Sequence, residues 1–182
     1  MKPRWEGTAK GIRPSSRVED RASLAREVER ITRDYAQPAL IEPFLTGPEY
    51  TVTVVGNQPP RALAALQRAL EATTGIGLHA LASHPEPEGG WSYCLPGALD
   101  ATLEAELARL ALLAYQALEC RDFARADFRL DAQGRAQFLE MNPLPTFAPD
   151  GSFGILAELE GRPLEELLAE IIADGLCRLG LS

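Results

Sequence analysis

The run RADFRLDAQGRAQFLEMNPLP, residues 125–145, constrains this chain more than any other stretch. It reads as two strands joined by a turn. Phe123 to Leu130 alternates and is rich in strand formers, and Ala136 to Asn142 alternates again. Between them, Asp131 to Arg135 carries Gly134 and turn chemistry. A four-residue loop, Ala132 to Arg135, would place Leu130 opposite Gln137, Phe128 opposite Leu139, Asp127 opposite Glu140 and Arg125 opposite Asn142. Successive strand side chains point to opposite faces. Arg125, Asp127, Glu140 and Asn142 then share one face, and Ala126, Phe128, Leu139 and Met141 share the other.

Directly opposed carboxylates sit roughly 5 Å apart at Cβ, and like charges in that position destabilise a sheet. A divalent cation between them reverses the sign. Two carboxylates and an amide carbonyl are hard oxygen donors, which suit Mg²⁺ better than Zn²⁺, and Mg²⁺ held by few protein ligands usually carries nucleotide phosphates too. The other reading is a solvated sheet face on which Arg125 and Arg129 pair with the acids. The pattern alone leaves both open.

At 182 residues the chain is one domain or two small lobes, long enough for a real core. A net charge of −8 argues against a general nucleic-acid or anionic-membrane surface, which needs a basic face. It leaves room for a nucleotide met by a local cluster. Cys94, Cys120 and Cys177 are odd in number and far apart, which points to a reducing, cytoplasmic setting without a disulfide framework. No signal peptide is read before the first strand, and no apolar run is long enough to span a membrane.

The strand–turn–strand ending in FLEMNPLP resembles the metal hairpin of ATP-grasp enzymes, specifically the D-alanine–D-alanine ligase group. Three further stretches fit in order: KPRWEGTAKGI at 2–12, LIEPFLTGPEYTVTVVG at 40–56, and YCLPGALDA with a long helix from 93. The resemblance spans nearly the whole chain. It implies an α+β ATP-grasp fold, a mostly antiparallel sheet packed by helices, with the N-terminal lobe of the ligases absent. It also implies an enzyme that phosphorylates a carboxylate with ATP and lets an amine attack the acyl phosphate.

The resemblance assigns roles residue by residue. Asp127, Glu140 and Asn142 would hold Mg²⁺ or Mn²⁺, and Arg125 would stabilise the acyl-phosphate and tetrahedral oxyanions. Lys2 would reach ATP phosphates. Glu6-Gly7-Thr8-Ala9-Lys10-Gly11 would wrap a phosphate, with Glu6 among the nucleotide-binding residues and Thr8 in place of a phosphate-contacting serine. The joint Glu42-Pro43-Phe44-Leu45 would cradle adenine. There Glu42 accepts from the amino group, Pro43 offers only its carbonyl, and the Leu45 N–H donates to the ring. Glu49 would bind the ribose hydroxyls. Read without the resemblance, Glu42 and Glu49 are surface acids at strand ends.

Residues 73–92 read as an exposed loop holding His79 and His84, with no zinc spacing. In the ligases a loop here carries a lysine onto the phosphates. Pro85 falls at that position, and lysine occurs in this chain only at Lys2 and Lys10. The Pro-rich loop from Asn142 to Ser152 also departs from the family. A family glycine is replaced near Thr146, Ser152 is displaced by one residue, and Phe147 and Phe153 make the place more apolar.

Helices are expected over residues 20–35 with Asp20 as cap and Leu24, Val28, Ile31 and Tyr35 inward, and over 100–118 with Leu103, Leu107, Leu110, Ala114 and Leu118 inward. Two more are expected over 153–160 and 163–179, the last covering the sheet behind the hairpin with Leu164, Leu167, Leu168, Ile171 and Ile172. Strands are expected over 39–42, 50–55 and 62–70, the last with a composition that also suits a helix. Residues 1–41 read as a partial lid subdomain and 42–182 as the C-terminal ATP-grasp subdomain. A fragment, a truncated gene, or a subunit whose partner supplies the rest each explain the missing lobe, and the unpaired strand edges of an incomplete lid invite a homodimer. The function expected is an ATP- and Mg-dependent ligase of small amino-acid-like carboxylates and amines. The rival is a degenerate ATP-grasp module that keeps the fold without turnover.

Overall fold

The computed structural model describes residues 1–68 and 99–181. The loop expected at residues 73–92, with His79, His84 and Pro85, lies outside the described residues. The chain divides into two compact units. Among the described residues, one holds Met1–Thr46 and the other holds Gly47–Arg68 with residues 99–181.

In the first unit, β1 (Lys2–Pro3) pairs antiparallel with β2 (Ala39–Leu40). The strand expected to reach Glu42 stops at Leu40, and Pro43 has no N–H with which to continue a ladder. Helix α1 (Arg21–Tyr35) starts where Asp20 Oδ1 accepts the Ala22 and Ser23 backbone N–H groups at 2.8 and 2.9 Å. It ends at Ala36 in the left-handed region. Ile31 is fully buried, as its spacing predicts. The charged face holds an exception, because Glu27 is buried as well. Its carboxylate accepts from Ser16 Oγ at 2.8 Å, Ser15 Oγ at 3.2 Å and the Arg30 guanidinium at 2.6 and 2.9 Å. Arg30 also donates to the Gly11 carbonyl, which ties the glycine-bearing loop to the helix.

The second unit is built on a sheet ordered β4-β3-β5-β6, every neighbour antiparallel: β3 (Glu49–Val55), β4 (Arg61–Arg68), β5 (Phe123–Leu130) and β6 (Ala136–Asn142). The Ala- and Leu-rich segment is thus a strand. It sends Ala65 into one core and Leu63 and Leu66 into another, a two-sided burial that overrides its helix propensity. Helices α2 (Ala101–Ala117), α3 (Ser152–Leu159) and α4 (Leu164–Arg178) pack on it.

One sheet face is apolar throughout. Tyr50, Val52, Val54, Ala65, Ala124, Ala126 and Phe128 meet Leu107, Ala111 and Tyr115 of α2. Of the expected stripe, Leu107 is buried and Leu103 and Leu110 pack against this core, but the buried line continues through Ala111 and Tyr115 instead of Ala114 and Leu118. Successive steps of four follow one ridge, and the small Ala111 sits at its middle. Leu118 caps the helix and is 57% exposed. The other face is split in two. Val55, Leu63 and Leu66 are covered by Phe153, Leu156 and Ala157 of α3 and by Leu167 and Ile171 of α4. Helix α4 therefore covers the β3–β4 side and not the back of the hairpin, and Ile172 is left exposed. The rest of this face is polar and belongs to Glu49, Thr51, Thr53, Arg125, Asp127, Arg129, Glu140 and Asn142.

The hairpin has both expected strands but a different turn. Leu130 pairs with Ala136, Arg129 with Gln137 and Phe128 with Phe138, so the loop has one more residue than expected. Asp131 explains the difference. Its Oδ1 accepts the backbone N–H groups of Gln133 and Arg135, each at 2.9 Å, while Gly134 takes φ +76°. A one-residue bulge at Leu139 then restores the register, giving Asp127 opposite Glu140 and Arg125 opposite Asn142 as expected. Phe138, not Leu139, meets Phe128, with ring centroids 5.7 Å apart. Among the described residues, no helix is long and apolar enough to cross a membrane.

Candidate functional site

The polar part of the second unit's sheet assembles from three strands. Thr51 lies opposite Asp127, Thr53 opposite Arg125 and Glu49 opposite Arg129, while β6 adds Glu140 and Asn142. Arg125 and Asp127 are two apart on β5, so both project from this face. Arg125 Nε donates to Asp127 Oδ1 at 2.9 Å and an Nη donates to Oδ2 at 2.7 Å. Thr51 Oγ1 donates to the same Oδ1. The repulsion expected between Asp127 and Glu140 is thereby offset by a guanidinium. Glu140 itself makes no hydrogen bond or ion pair with the described residues. Asn142 Oδ1 accepts the Leu144 N–H at 3.0 Å, which fixes the amide at the start of the Pro-rich loop.

Glu49 is placed at the start of β3. Its carboxylate lies 4.0 Å from Arg129, whose Nε donates to the Gly47 carbonyl. Burial raises the Glu49 pKa above the ordinary carboxylate range, and the Asp127 charge adds to it, with Arg129 and Arg68 opposing. Arg125 is held charged above its ordinary value. Burial works against that charge, and the hydrogen bonds and charge of Asp127 outweigh it.

The donor chemistry fits a hard divalent cation. Asp127 and Glu140 are cross-strand neighbours, Asn142 adds an amide oxygen, and Glu140 has no competing partner among the described residues. Among those residues no three His, Cys, Asp or Glu side chains converge on one point, so the set reaches three donors only with the Asn142 amide.

Beside this patch, the loop after β6 carries an aromatic cluster that residue spacing does not reveal. Phe147 lies 4.9 Å from Phe123 and 5.2 Å from Phe153 between ring centroids. Gly154 packs against the Pro149 carbonyl so closely that a side chain has no room. Two buried hydroxyls, Thr53 Oγ1 and Ser152 Oγ, have no hydrogen-bond partner among the described residues.

In the first unit, Lys2 and Glu42 are brought together, with Nζ and Oε2 3.1 Å apart across the β1–β2 pair. Glu6 accepts from Lys10 at 2.9 Å and from Gln37 Nε2 at 2.9 Å, and the Lys10 hydrogen bond holds its carboxyl below the usual range. Thr8 and Ala9 both take positive φ, 53° and 56°, in a turn closed by the Lys10 N–H on the Gly7 carbonyl. Thr8 Oγ1 donates to that same carbonyl. Pro43 and Leu45 follow β2 outside any strand. Phe44 is partly exposed, and the Arg17 guanidinium stacks over its ring at 4.6 Å. The sequence reading missed Arg17, because nothing local marks an arginine before a helix as the partner of a distant ring. Glu49 belongs to the second unit and Glu42 to Leu45 to the first.

A D-alanine--D-alanine ligase of Alcanivorax borkumensis is 31% identical over 178 residues, which is 98% of this chain and 54% of that protein. One from Caulobacter vibrioides is 29% identical over 180 residues, 98% of this chain and 53% of that protein. The chain spans about half the length of the curated relatives it matches. Among solved structures, the VanG D-Ala:D-Ser ligase of Enterococcus faecalis superposes with a TM-score of 0.72 at 20% identity, over 94% of this chain and 48% of that one. The D-alanine--D-alanine ligase of Bacillus anthracis in complex with ATP gives 0.66 at 22% identity, over 87% and 49%. These likenesses establish an ATP-grasp fold. Residues 1–173 match the family described as D-ala D-ala ligase C-terminus, and the chain belongs to that family.

Proposed function

We propose that this chain is the nucleotide- and cation-binding C-terminal part of an ATP-dependent carboxylate–amine ligase. The observation that carries the reading is the gathering of Asp127, Glu140 and Asn142 beside Arg125 on one polar sheet face. Mg²⁺ or Mn²⁺ would be held by Asp127, Glu140 and Asn142. When bound, it supplies positive charge to phosphate oxygens. Arg125 would present its guanidinium to the anionic oxygens of an acyl phosphate and of the tetrahedral adduct that follows. Lys2, Glu6 and Thr8 would serve the phosphates, Glu42 to Leu45 the adenine, and Glu49 the ribose hydroxyls. Residues 1–41 would act as lid and 42–182 as the catalytic subdomain. The substrates would be ATP, a small amino-acid-like carboxylate and an amine, in the cytoplasm.

A specific observation favours a second reading, an ATP-grasp module without turnover. The chain has two lysines, and each is held by an acid: Lys2 by Glu42 and Lys10 by Glu6. A phosphate would compete with these acids for each ammonium. Phosphate release from ATP and Mg²⁺, measured across a panel of D- and L-amino acids and dipeptides, separates the readings. Amine-dependent release supports the ligase. Nucleotide binding without release supports the module.

A further inference from the structure

Asp127 has little of its carboxylate left to offer a cation. Its Oδ1 accepts from Thr51 Oγ1 and from Arg125 Nε, and its Oδ2 accepts from an Arg125 Nη at 2.7 Å. A carboxylate has about four lone-pair directions, and these bonds take three. The remaining direction lies on an oxygen already bonded to a full positive charge. Arg125 reaches Asp127 because the two are neighbours on one face of one strand, and it faces Asn142 across the hairpin as Asp127 faces Glu140. The guanidinium therefore sits among the same oxygens that the cation reading assigns.

We propose that Arg125 is the resident counter-ion of this site, and that a divalent cation enters by displacing it from Asp127. The inference rests on the cation reading given under Proposed function. In the metal-free protein the guanidinium offsets the charge that Asp127 would otherwise hold beside Glu140. The fork-to-fork pairing is the strong form of an Arg–carboxylate contact, and it occupies the donors with which Arg125 would meet an anionic oxygen. Cation entry frees those donors. Linkage makes the effect reciprocal: an anion that captures the freed Arg125 raises the affinity for the cation by the same factor by which the cation raises the affinity for the anion. Cation loading and anion capture are thus coupled through one side chain.

The test is Mn²⁺ titration of the full chain without nucleotide, followed by electron paramagnetic resonance of free Mn²⁺. Wild type, Arg125→Met, Arg125→Lys and Asp127→Asn are compared. Arg125→Met should bind at least tenfold more tightly than wild type. Arg125→Lys, which keeps the charge, should stay within about threefold of wild type, and Asp127→Asn should lose binding. Equal or weaker binding by Arg125→Met, with wild type still binding, overturns the proposal and leaves the cation reading standing. No binding at millimolar Mn²⁺ by wild type or Arg125→Met overturns both. A measurement on the wild type avoids any folding defect of the variants. The ¹⁵N resonance of Arg125 Nε, identified by its loss in Arg125→Lys, should shift and exchange its proton faster when Mg²⁺ is added. Saturation with Mg²⁺ without such a change overturns the displacement.

Discussion

Thr51 on β3 donates its buried hydroxyl to Asp127 on β5, directly across the strand register. The bond orients a carboxylate that Arg125 also holds, so Asp127 is fixed from two strands before any ligand arrives. Thr51→Val keeps the side-chain shape and removes the donor. A hydrogen bond to a charged group contributes about 1.5–3 kcal/mol, and solvent reaches part of Asp127, so the lower end is expected. Thermal melting in the presence of a chelator should show a drop of about 3–6 °C. An unchanged melting temperature would show that the bond orients Asp127 without stabilising the sheet.

In the first unit, Glu27 is a buried acid whose removal should cost stability. It is 4% exposed and anchors Ser15, Ser16 and Arg30 around one carboxylate. Glu27→Ala leaves the nearly buried Arg30 guanidinium with only Asp34, 3.9 Å away, as an acid partner, and breaking a buried pair from one side costs up to about 3–5 kcal/mol. Glu27→Gln keeps acceptors for both serines and should recover part of that loss. Chemical denaturation of the three proteins, followed by far-ultraviolet circular dichroism, gives the order wild type, Gln, Ala. A Glu27→Ala protein as stable as wild type would mean that water replaces the carboxylate without loss.

These two networks show what can and cannot be read from residue order. The hairpin was legible because alternation over Phe123–Leu130 and Ala136–Asn142 and a glycine between them are local signals, and the cross-strand pair Asp127–Glu140 followed. The turn register did not follow. It depends on an aspartate side chain capturing two backbone N–H groups, and the bulge at Leu139 then absorbs the extra residue. Two opposite deviations left the site pairing intact. Asp20 and Asp100 were legible as helix caps for the same local reason. Glu27 was not, because its partners Ser15 and Ser16 lie outside its own helix. Arg17 over Phe44 and the Phe123–Phe147–Phe153 cluster are likewise contacts between distant segments. Helical spacing found α2 and its inward Leu103, Leu107 and Leu110 but continued the stripe through Ala114 and Leu118, since Leu and Ala on adjacent rows are equally apolar and only the approach to the sheet distinguishes them.

Asp122 gives a pH-dependent prediction. The Arg178 hydrogen bonds lower its pKa below the ordinary value, with Asn57 adding to them and burial opposing. A folded-state pKa below the unfolded one means that this stability is present above the unfolded value, near 3.9, and is lost as pH falls through the folded value. Both groups are partly exposed, so solvent screening keeps the pair's contribution small. Arg178→Met should therefore melt below wild type at pH 6 and converge with it as pH falls towards 2. A gap that stays constant over this range would assign Arg178 a packing role instead.

Glu140 decides whether the acidic face is kept for a cation. It lies opposite Asp127 and lacks any hydrogen bond or ion pair among the described residues, and its charge is among those that raise the Glu49 pKa. Among the described residues, its negative charge is met only at a distance, by the charge of Arg125. Glu140→Gln should leave stability in chelator unchanged or raise it by a few tenths of a kcal/mol, the scale of a relieved cross-strand repulsion. The same change should abolish the upward shift in melting temperature that Mg²⁺ gives the wild type, because a ligand stabilises only in proportion to its binding of the native state. Asp127→Asn is the paired control. It also removes Mg²⁺ binding, but it breaks the Arg125 fork and should lower stability in chelator. The two acids thus separate: Asp127 is held by Arg125 and Thr51, and Glu140 makes no hydrogen bond or ion pair among the described residues. A clear loss of stability in Glu140→Gln with chelator present, together with no Mg²⁺ shift in the wild type, would mean that Glu140 is a structural acid and that the cation reading is wrong.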